Sequence, residues 1–241
     1  MSQSVLHLRN LSFTWPGESE ALFGPFDADF SSGAPITFLG PNGVGKTTLF
    51  RLIAGRLNPS SGAISLDEHQ VHSDYCNYIL QNSSRLLFPH LTLCENLHVS
   101  KSEDNDLLQR AKAKLFDEES VLGRYPHQCS GGQRQRAVLC RAISDIPRFP
   151  ITVLDEPFSQ LSYESKPGLY ALLKEVVNHA ESILLIVTHD VPEAIILGST
   201  TWVLTGKKSP ISFDTTSVTD SESLSDAPDL LLEIQKTLMP H

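Results

Sequence analysis

Cysteine is scarce in this 241-residue sequence, and long apolar runs are missing. The four cysteines are Cys76, Cys94, Cys129 and Cys140, and they form no CxxC pair and no metal-type spacing. We therefore expect reduced thiols rather than a disulfide scaffold. The longest strongly apolar run is Ile183 to Val187, far below the roughly 20 residues that a membrane-spanning helix needs. No apolar run follows a basic start, so we expect no secretory signal.

Positive charge is also in deficit. Lys and Arg number 19 against 28 Asp and Glu, which gives a net charge of −9. Proteins that bind nucleic acids cluster an excess of Lys and Arg against the phosphate backbone, so we expect no nucleic-acid partner. The content of 40% hydrophobic and 20% charged residues is that of an ordinary globular protein. At about 150 residues per domain, the length fits one large domain or a domain with an added lobe.

Short apolar runs alternate with helical patterns along the chain. Runs at residues 35–39, 151–154 and 183–187 each end at a glycine or a polar residue. Such runs fit strands that are buried on both faces of a parallel sheet. Between the last two runs, apolar residues recur with the spacing of an amphipathic helix, at Leu169, Leu172, Leu173, Val176 and Val177. Strand–helix alternation of this kind predicts an α/β fold.

Two other regions depart from this strand–helix alternation. Strand-like pieces at residues 5–8 and 11–15 precede Pro16-Gly17 and predict an antiparallel flap. The stretch from Thr92 to about Ile143 has helical patterns without a convincing strand, which predicts a helical lobe inserted into the α/β core.

The C-terminal region has the composition of a loose connector over residues 206–226, which are rich in Ser, Thr and Asp. A short final helix is predicted from Leu231, Ile234 and Leu238. We therefore expect one domain over residues 1–205, followed by a connector and a short helix over residues 206–241.

The clearest motif is a full GxxxxGK[ST] match that follows a predicted buried strand and precedes a helix-forming run. Its residues are Gly40, Pro41, Asn42, Gly43, Val44, Gly45, Lys46, Thr47 and Thr48. Glycines let backbone amides approach phosphate oxygens, and the positive end of the helix dipole faces the same anion. Lys46 can reach the β- and γ-phosphates, and the Thr47 hydroxyl suits Mg²⁺. The alternative is a glycine-rich turn that only joins strand to helix.

Two acids follow the apolar run at residues 151–154. Asp155, at the end of a buried strand beside the phosphate-binding loop, is placed to hold Mg²⁺ through water. Glu156 is the candidate for accepting a proton from an attacking water. A strand-terminal Asp-Glu pair taken alone is more often a solvated turn, so this interpretation depends on its pairing with the loop.

A second glycine-rich element precedes another helix-forming run, at Ser130, Gly131, Gly132 and Gln133. Two glycines and a hydroxyl at a helix N-terminus can bind an anion through unpaired N–H groups and the helix dipole. The alternative is an ordinary N-cap in which Ser130 satisfies the first turn.

In this order the motifs resemble those of the ATP-binding-cassette (ABC) ATPases. The stretch from Cys129 to Gln133 is similar to the family signature, which in many members begins with Leu. The resemblance implies a P-loop NTPase fold with a mostly parallel sheet, an N-terminal antiparallel flap and an inserted helical lobe. In the family, two domains pack head to tail over two ATP molecules. The signature of one closes over the γ-phosphate held by the other, which implies ATP contacts for Ser130, Gly131, Gly132 and Gln133.

The resemblance also implies roles for three residues outside these motifs. Trp15 resembles the aromatic that stacks on adenine, although a core aromatic is the alternative. Gln81 is similar to the glutamine that contacts Mg²⁺ and the attacking water, and His189 to the histidine that contacts the γ-phosphate. Ser162 stands where the family typically has Asp, which puts in doubt how tightly two ATP sites are coupled, and it could instead cap the next helix.

The function implied is ATP hydrolysis that powers uptake through separate membrane permease subunits. Residues 155–159 and 188–194 resemble the importer branch, with subunits for sulfonate, nitrate, thiamine-related or polyamine uptake. Implied partners are the permease, a second cassette and a periplasmic binding protein, with the chain peripheral on the cytoplasmic side of the inner membrane. The helical lobe and the Gln81 loop form the expected docking surface. The alternatives are an export ATPase, a soluble cassette that acts on ribosomes or DNA, and a binding-only subunit.

Overall fold

The structure is a computed structural model, and it describes residues 4–79, 86–99, 105–206, 210–218, 224–225 and 227–239. The strands within these residues are β1 (Val5–Phe13), β2 (Phe23–Ser31), β3 (Ile36–Leu39), β4 (Ser61–Leu66), β5 (His69–Gln70), β6 (Cys76–Ile79), β7 (Ile151–Asp155), β8 (Ile183–Val187), β9 (Thr200–Val203) and β10 (Ile211–Asp214). The α-helices are α1 (Lys46–Ile53), α2 (Leu93–His98), α3 (Asn105–Leu115), α4 (Gly131–Asp145), α5 (Lys166–His179), α6 (Val191–Leu197) and α7 (Pro228–Leu238).

The N-terminal strands form the antiparallel sheet that the sequence predicts, in the order β2-β1-β4-β5. The two predicted pieces are one strand, because β1 continues through a register shift between Leu8 and Leu11. Asn10 lies in this bulge with a φ of 49°, and its N–H donates to the Asp27 carboxylate at 2.6 Å. An extra residue at a bulge interrupts the alternation of apolar side chains, which is why the pattern reads as two strands.

The second sheet has the order β10-β9-β3-β8-β7-β6, and its pairs from β9 to β6 are parallel. All residues of β3, β7 and β8 are buried, as continuous apolar runs predict. The carboxyl ends of parallel strands meet at one edge of a sheet, where α/β proteins bind ligands. The loops that follow β3, β7 and β8 therefore bring the phosphate-binding loop, the Asp155-Glu156 pair and His189 to the same edge.

Helices α2, α3 and α4 lie between β6 and β7 in the chain and form the predicted helical lobe. Helix α4 packs against both α2 and α3. Leu97, Leu108, Ala111 and Val138 are fully or almost fully buried in one cluster with residues of α5. The lobe thus shares a continuous core with the parallel sheet, and we expect the lobe and the sheet to move together.

Part of the predicted loose connector is a strand. Strand β10 pairs antiparallel with β9 at the edge of the parallel sheet. Its sequence, Ile-Ser-Phe-Asp, alternates apolar and polar residues over only 4 positions, so the polar composition around it hides the pattern. The predicted final helix is present as α7, whose Ile234 is buried against α6 and β9.

In the part of the chain that the structure describes, none of the helices has the length and apolar character needed to cross a membrane.

Candidate functional site

The phosphate-binding loop lies between β3 and α1 in a conformation that its glycines make possible. A Cβ on Gly40 would lie 2.7 Å from the Leu204 carbonyl oxygen, so the chain can pass there only without a side chain. Gly43 and Gly45 have φ angles of 82° and 105°, in the left-handed region that other residues rarely adopt. Gly45 is also the N-cap of α1 and carries no side chain that could cap it. The first amides of α1 are thus available to an anion.

Lys46 folds back over this loop. Its ammonium donates to the carbonyl oxygens of Gly40 at 2.6 Å and Pro41 at 3.0 Å, and the side chain is largely buried. Burial lowers the pKa of Lys46, whereas the carboxylates of Glu156 and Asp155 oppose that shift. The amine therefore sits at the centre of the loop, where a phosphate oxygen would replace the carbonyls as its acceptor.

Asp155 ends β7 and is only 8% exposed. Burial, and then the adjacent Glu156 carboxylate, raises the pKa of Asp155 from 3.8 to about 6, against the attraction of Lys46 and Arg51. A buried carboxylate of this kind is stabilised by an added cation, and the exposed hydroxyl of Thr47 lines the same cavity. An oxygen-rich set of this type fits a hard cation such as Mg²⁺.

Glu156 has a strained backbone. Its φ is 48°, which is uncommon for a residue with a Cβ, and its N–H donates to the Val187 carbonyl at 2.9 Å. This conformation turns the chain sharply after β7. One carboxylate oxygen of Glu156 lies 3.3 Å from His189 Nδ1, and the Glu156 side chain is 12% exposed against 66% for His189. Strain of order 1–3 kcal/mol at one residue is typical of functional sites.

A cavity of about 210 Å³ joins the phosphate-binding loop to the acids and to Trp15. Its lining residues are Trp15, Leu22, Asn42, Gly43, Gly45, Lys46, Thr47, Thr48, Asp155 and Glu156. Trp15 is 39% exposed and packs edge-to-face on Phe13, with ring centroids 4.9 Å apart. Trp15 thus lies at the rim of the cavity with its ring against Phe13, and this position fits an aromatic that stacks on a base.

The helix start at Ser130 is already capped. The Gln133 N–H donates to Ser130 Oγ at 3.2 Å, and the Ser130 N–H donates to Gln133 Oε1 at 2.9 Å. The capping box satisfies the N–H groups of Ser130 and Gln133 in the single chain, as the N-cap alternative predicts, and the anion-binding role of this turn stays a prediction. Residues 130–133 do not line the 210 Å³ cavity, so one chain does not bring its two glycine-rich elements together there.

The segment after Glu156 lies beside this capped helix start. A Cβ on Gly131 would lie 3.4 Å from Gln160 Oε1. The Ser162 hydroxyl is 2.6 Å from the Ser165 hydroxyl and bonds no backbone N–H as a cap, so the capping alternative for Ser162 is wrong. Gln81 lies outside the described residues.

Sequence reasoning assigns no site role to three residues that the structure brings to the site or next to it. Leu22 lines the cavity beside Trp15, and Leu238 of α7 lines a second cavity of about 580 Å³ with Gly40, Glu156 and His189. Glu193 is buried below His189 and bonds Thr188. Leu238 belongs to the predicted final helix and Glu193 to the importer-like segment of residues 188–194, but neither pattern assigns the residue to a site.

Comparison with known proteins identifies relatives of this arrangement. The sequence profile described as "ABC transporter" matches residues 23–159. The spermidine/putrescine import ATP-binding protein PotA of Marinobacter nauticus is 34% identical over 85% of this chain and 56% of its own length. YtlC of Bacillus subtilis, an uncharacterized ABC transporter ATP-binding protein, is 32% identical over 86% of this chain and 82% of its own. The Fe(3+) ions import ATP-binding protein FbpC of Vibrio cholerae is 34% identical over 77% and 55%.

Solved structures share the fold. The dimeric bacterial ABC transporter cassette MJ0796 superposes with a TM-score of 0.72 at 22% identity, over 87% of this chain and 98% of its own. A bacterial Atm1-family ABC exporter with ATP bound gives a TM-score of 0.75 at 18% identity, over 100% of this chain and 43% of its own. The chain spans little more than half the length of PotA and FbpC.

Proposed function

The chain belongs to the ABC transporter family, and from that membership we propose that it is the ATP-hydrolysing subunit of an importer whose membrane permease is a separate chain. The observation that carries this proposal is the convergence of Lys46, Asp155 and Glu156 on one cavity beside an uncapped helix start. That arrangement supplies a cation, a metal-binding carboxylate and a base around a phosphate-sized site.

Each residue of the site has a place in the proposed reaction. The triphosphate enters the loop at residues 40–48, and Lys46 exchanges its carbonyl acceptors for phosphate oxygens. Thr47 and Asp155 would hold Mg²⁺, which neutralises charge on the phosphates. Glu156 accepts the proton of the attacking water, and His189 donates to the γ-phosphate. Catalysis by positioning and charge stabilisation suits phosphoryl transfer, which needs little covalent chemistry from the protein.

A second cassette completes the proposed site. Residues 130–133 do not share the cavity with the phosphate-binding loop of their own chain, and the MJ0796 cassette is described as dimeric. We infer that Ser130 and Gly132 of one copy, with Gly131 and Gln133, face the γ-phosphate held by the other copy. Two copies closed over two ATP molecules form a two-state element that the nucleotide biases.

Import is the direction that the relatives favour. PotA, FbpC and the glycine betaine/carnitine/choline protein OpuCA of Bacillus subtilis are each 34% identical, and the names of the first two specify import. The exporter match at 18% identity concerns the fold alone. Since these relatives are named for chemically different substrates, we propose that the permease and a periplasmic binding protein select the substrate.

The permease would dock on the helical lobe. Leu86, Phe88 and Val99 expose 39%, 44% and 41% of their surface near the start and end of the segment that carries α2. We propose that these exposed apolar side chains, which lie just before and just after α2, contribute to a protein contact surface. We therefore place the chain at the cytoplasmic face of the membrane as a peripheral subunit.

The test is phosphate release and ATP binding by the full chain and two variants. We expect Glu156→Gln to bind ATP, to lose turnover by at least about 100-fold and to accumulate a dimer in ATP, because it lacks the proton acceptor. Lys46→Ala should weaken ATP binding by about 10-fold or more, because it removes a charge-assisted hydrogen bond to phosphate.

The matched control is Glu175→Gln on α5, an exposed carboxylate paired with Arg110, which should turn over normally. Wild-type phosphate release by Glu156→Gln would remove the base assignment. Co-purification with a membrane permease, followed by ATP-dependent uptake in reconstituted vesicles, tests the direction of transport.

A further inference from the structure

Glu193 is a buried carboxylate whose polar partners come from the His189 loop and from helix α5. It lies in the first turn of α6 and is 6% exposed. One oxygen accepts from the Thr188 hydroxyl at 2.6 Å, and the other accepts from Lys166 Nζ and the Tyr170 hydroxyl, both at 2.8 Å. Burying a charge is costly unless it is paired and hydrogen-bonded, so a carboxylate at this position needs these partners.

The first oxygen fixes the peptide units on both sides of His189. Thr188, which precedes His189, donates to Glu193, and its hydroxyl in turn accepts from the Asp190 N–H at 3.1 Å. Asp190, which follows His189, accepts from the Glu193 N–H at 3.0 Å. The exposed His189 side chain is therefore carried by a short loop whose two ends are tied to one residue.

The second oxygen reaches α5. Lys166 and Tyr170 lie in the first two turns of α5, directly after the segment of residues 159–165 that contains Ser162. The Tyr170 ring also packs edge-to-face on Phe158 at 5.2 Å, and Phe158 follows Glu156 by two residues. Burial and the Glu193 carboxylate raise the pKa of Tyr170, so its hydroxyl stays a donor. Glu193 thus joins the His189 loop to the chain that leads away from Glu156.

We propose that Glu193 is a positioning residue for the proposed ATP hydrolysis. Glu193 holds His189 near Glu156 and couples the His189 loop to residues 159–165. The proposal rests on the proposed function and adds a residue that acts only through others. When residues 159–165 shift on pairing with a second copy, α5 and Glu193 transmit that shift to His189. The side-chain hydrogen bonds that Glu193 accepts come from Lys166, Tyr170 and Thr188 and not from the loop at residues 40–48, so their loss should lower kcat far more than nucleotide affinity.

The experiment measures kcat and KM for ATP in the full-length chain with Thr188→Val, Thr188→Ser and Glu193→Gln. Thr188→Val keeps the side-chain shape and removes only the hydroxyl that links Glu193 to the His189 loop. We expect Thr188→Val and Glu193→Gln to lower kcat by about 10-fold with KM within about two-fold, and Thr188→Ser to restore most of the rate. Glu175→Gln, which removes an exposed ion pair of the same helix, is the control for loss of charge on α5.

A double-variant cycle separates positioning from general destabilisation. If Glu193 acts through His189, adding Glu193→Gln to His189→Ala should reduce kcat no further than His189→Ala alone. Additive losses, or a wild-type rate in Thr188→Val, would overturn the inference. If the wild-type chain hydrolyses ATP and Glu156→Gln stops it, the proposed function stands, and a failed prediction for Glu193 rejects only the role of Glu193. Equal rates in wild type, Lys46→Ala and Glu156→Gln would reject the proposed function and this inference together.

Discussion

At the scale of single residues, the site combines an uncommon backbone conformation with two groups whose pKa values are shifted by burial. Glu156 has a φ of 48°, and Asp155 is a buried acid with its pKa raised to about 6. Lys46 is a buried base with a lowered pKa. The charges of Lys46 and Asp155 are costly to bury, and a bound anion and cation would offset that cost. Ligand binding and stability are therefore linked at Asp155 in particular.

The charge of Asp155 should destabilise the nucleotide-free fold at neutral pH. Its folded pKa of about 6 lies above the ordinary 3.8, so the folded state holds the proton more tightly than the unfolded state does. Ionisation thus opposes folding, with no effect below pH 3.8, a growing one up to pH 6 and the full effect above it. Asp155→Asn should raise the unfolding free energy by about 1–3 kcal/mol at pH 7.5 and leave it unchanged near pH 3.5.

Chemical denaturation in EDTA at the two pH values measures this difference. The exposed Asp74→Asn is the control and should stay within about 0.5 kcal/mol of wild type. A destabilised Asp155→Asn at neutral pH would show that the carboxylate is compensated by contacts other than those described.

Contiguous residues of the site are predictable from sequence, and scattered ones are not. Residues 40–48 lie together because one turn joins β3 to α1, so their spacing alone carries the chemistry. Two partners of Glu193, Lys166 and Tyr170, lie 27 and 23 residues away along the chain, and only the tertiary fold brings them to it. The roles assigned to Trp15, Ser130 and His189 remain predictions.

At the scale of secondary-structure elements, helix starts differ in whether their own side chains satisfy them. Helix α1 begins at Gly45 without a cap, whereas α2 and α4 begin with capping boxes at Thr92 and Ser130. A helix whose first amides are uncapped is ready for an anion, and one that is capped must exchange its cap for it. The strand at residues 211–214 could not be predicted from the sequence, because its apolar and polar residues alternate over only four positions.

The two capping boxes provide a matched pair of variants. Thr92→Ala and Ser130→Ala should each lower the unfolding free energy by about 1 kcal/mol, because each removes one side-chain acceptor for a first-turn N–H. Only Ser130→Ala should also reduce ATP turnover by 10-fold or more, if Ser130 contacts the nucleotide of a partner copy. Equal turnover in the two variants would contradict that assignment, and parallel denaturation curves supply the stability comparison.

At the scale of the whole molecule, the core extends without interruption from the parallel sheet into the helical lobe. The same cluster contains Ile79 and Leu154 of the sheet, Leu97 and Val138 of the lobe, and Leu173 of α5. Both the sheet and the lobe contain a buried cysteine, Cys76 in β6 and Cys140 in α4. Their reactivity therefore reports whether either part has opened.

Native thiols should react very unequally. Burial raises the pKa of both Cys76 and Cys140 to about 12 and also raises that of buried Cys129, whereas Cys94 is half-buried. Thiolate is the reactive form, so Cys94 should react with a maleimide at pH 8 at least about 100-fold faster than Cys76 or Cys140. Mass spectrometry of briefly labelled native protein, with protein unfolded in guanidinium as the reference, measures the order. Rapid native labelling of Cys140 would show that the lobe opens on its own.

The capping box at Ser130 affects how strongly the start of α4 in a single chain would bind free anions. Since Gln133 and Ser130 satisfy each other's N–H groups, fewer first-turn amides are left for inorganic phosphate here than at the uncapped start of α1. If a second copy presents its triphosphate to this turn, as proposed, many contacts would form at once and would offset the loss of the cap. The helix start of a single chain would then bind free phosphate weakly and would bind nucleotide only within the proposed dimer.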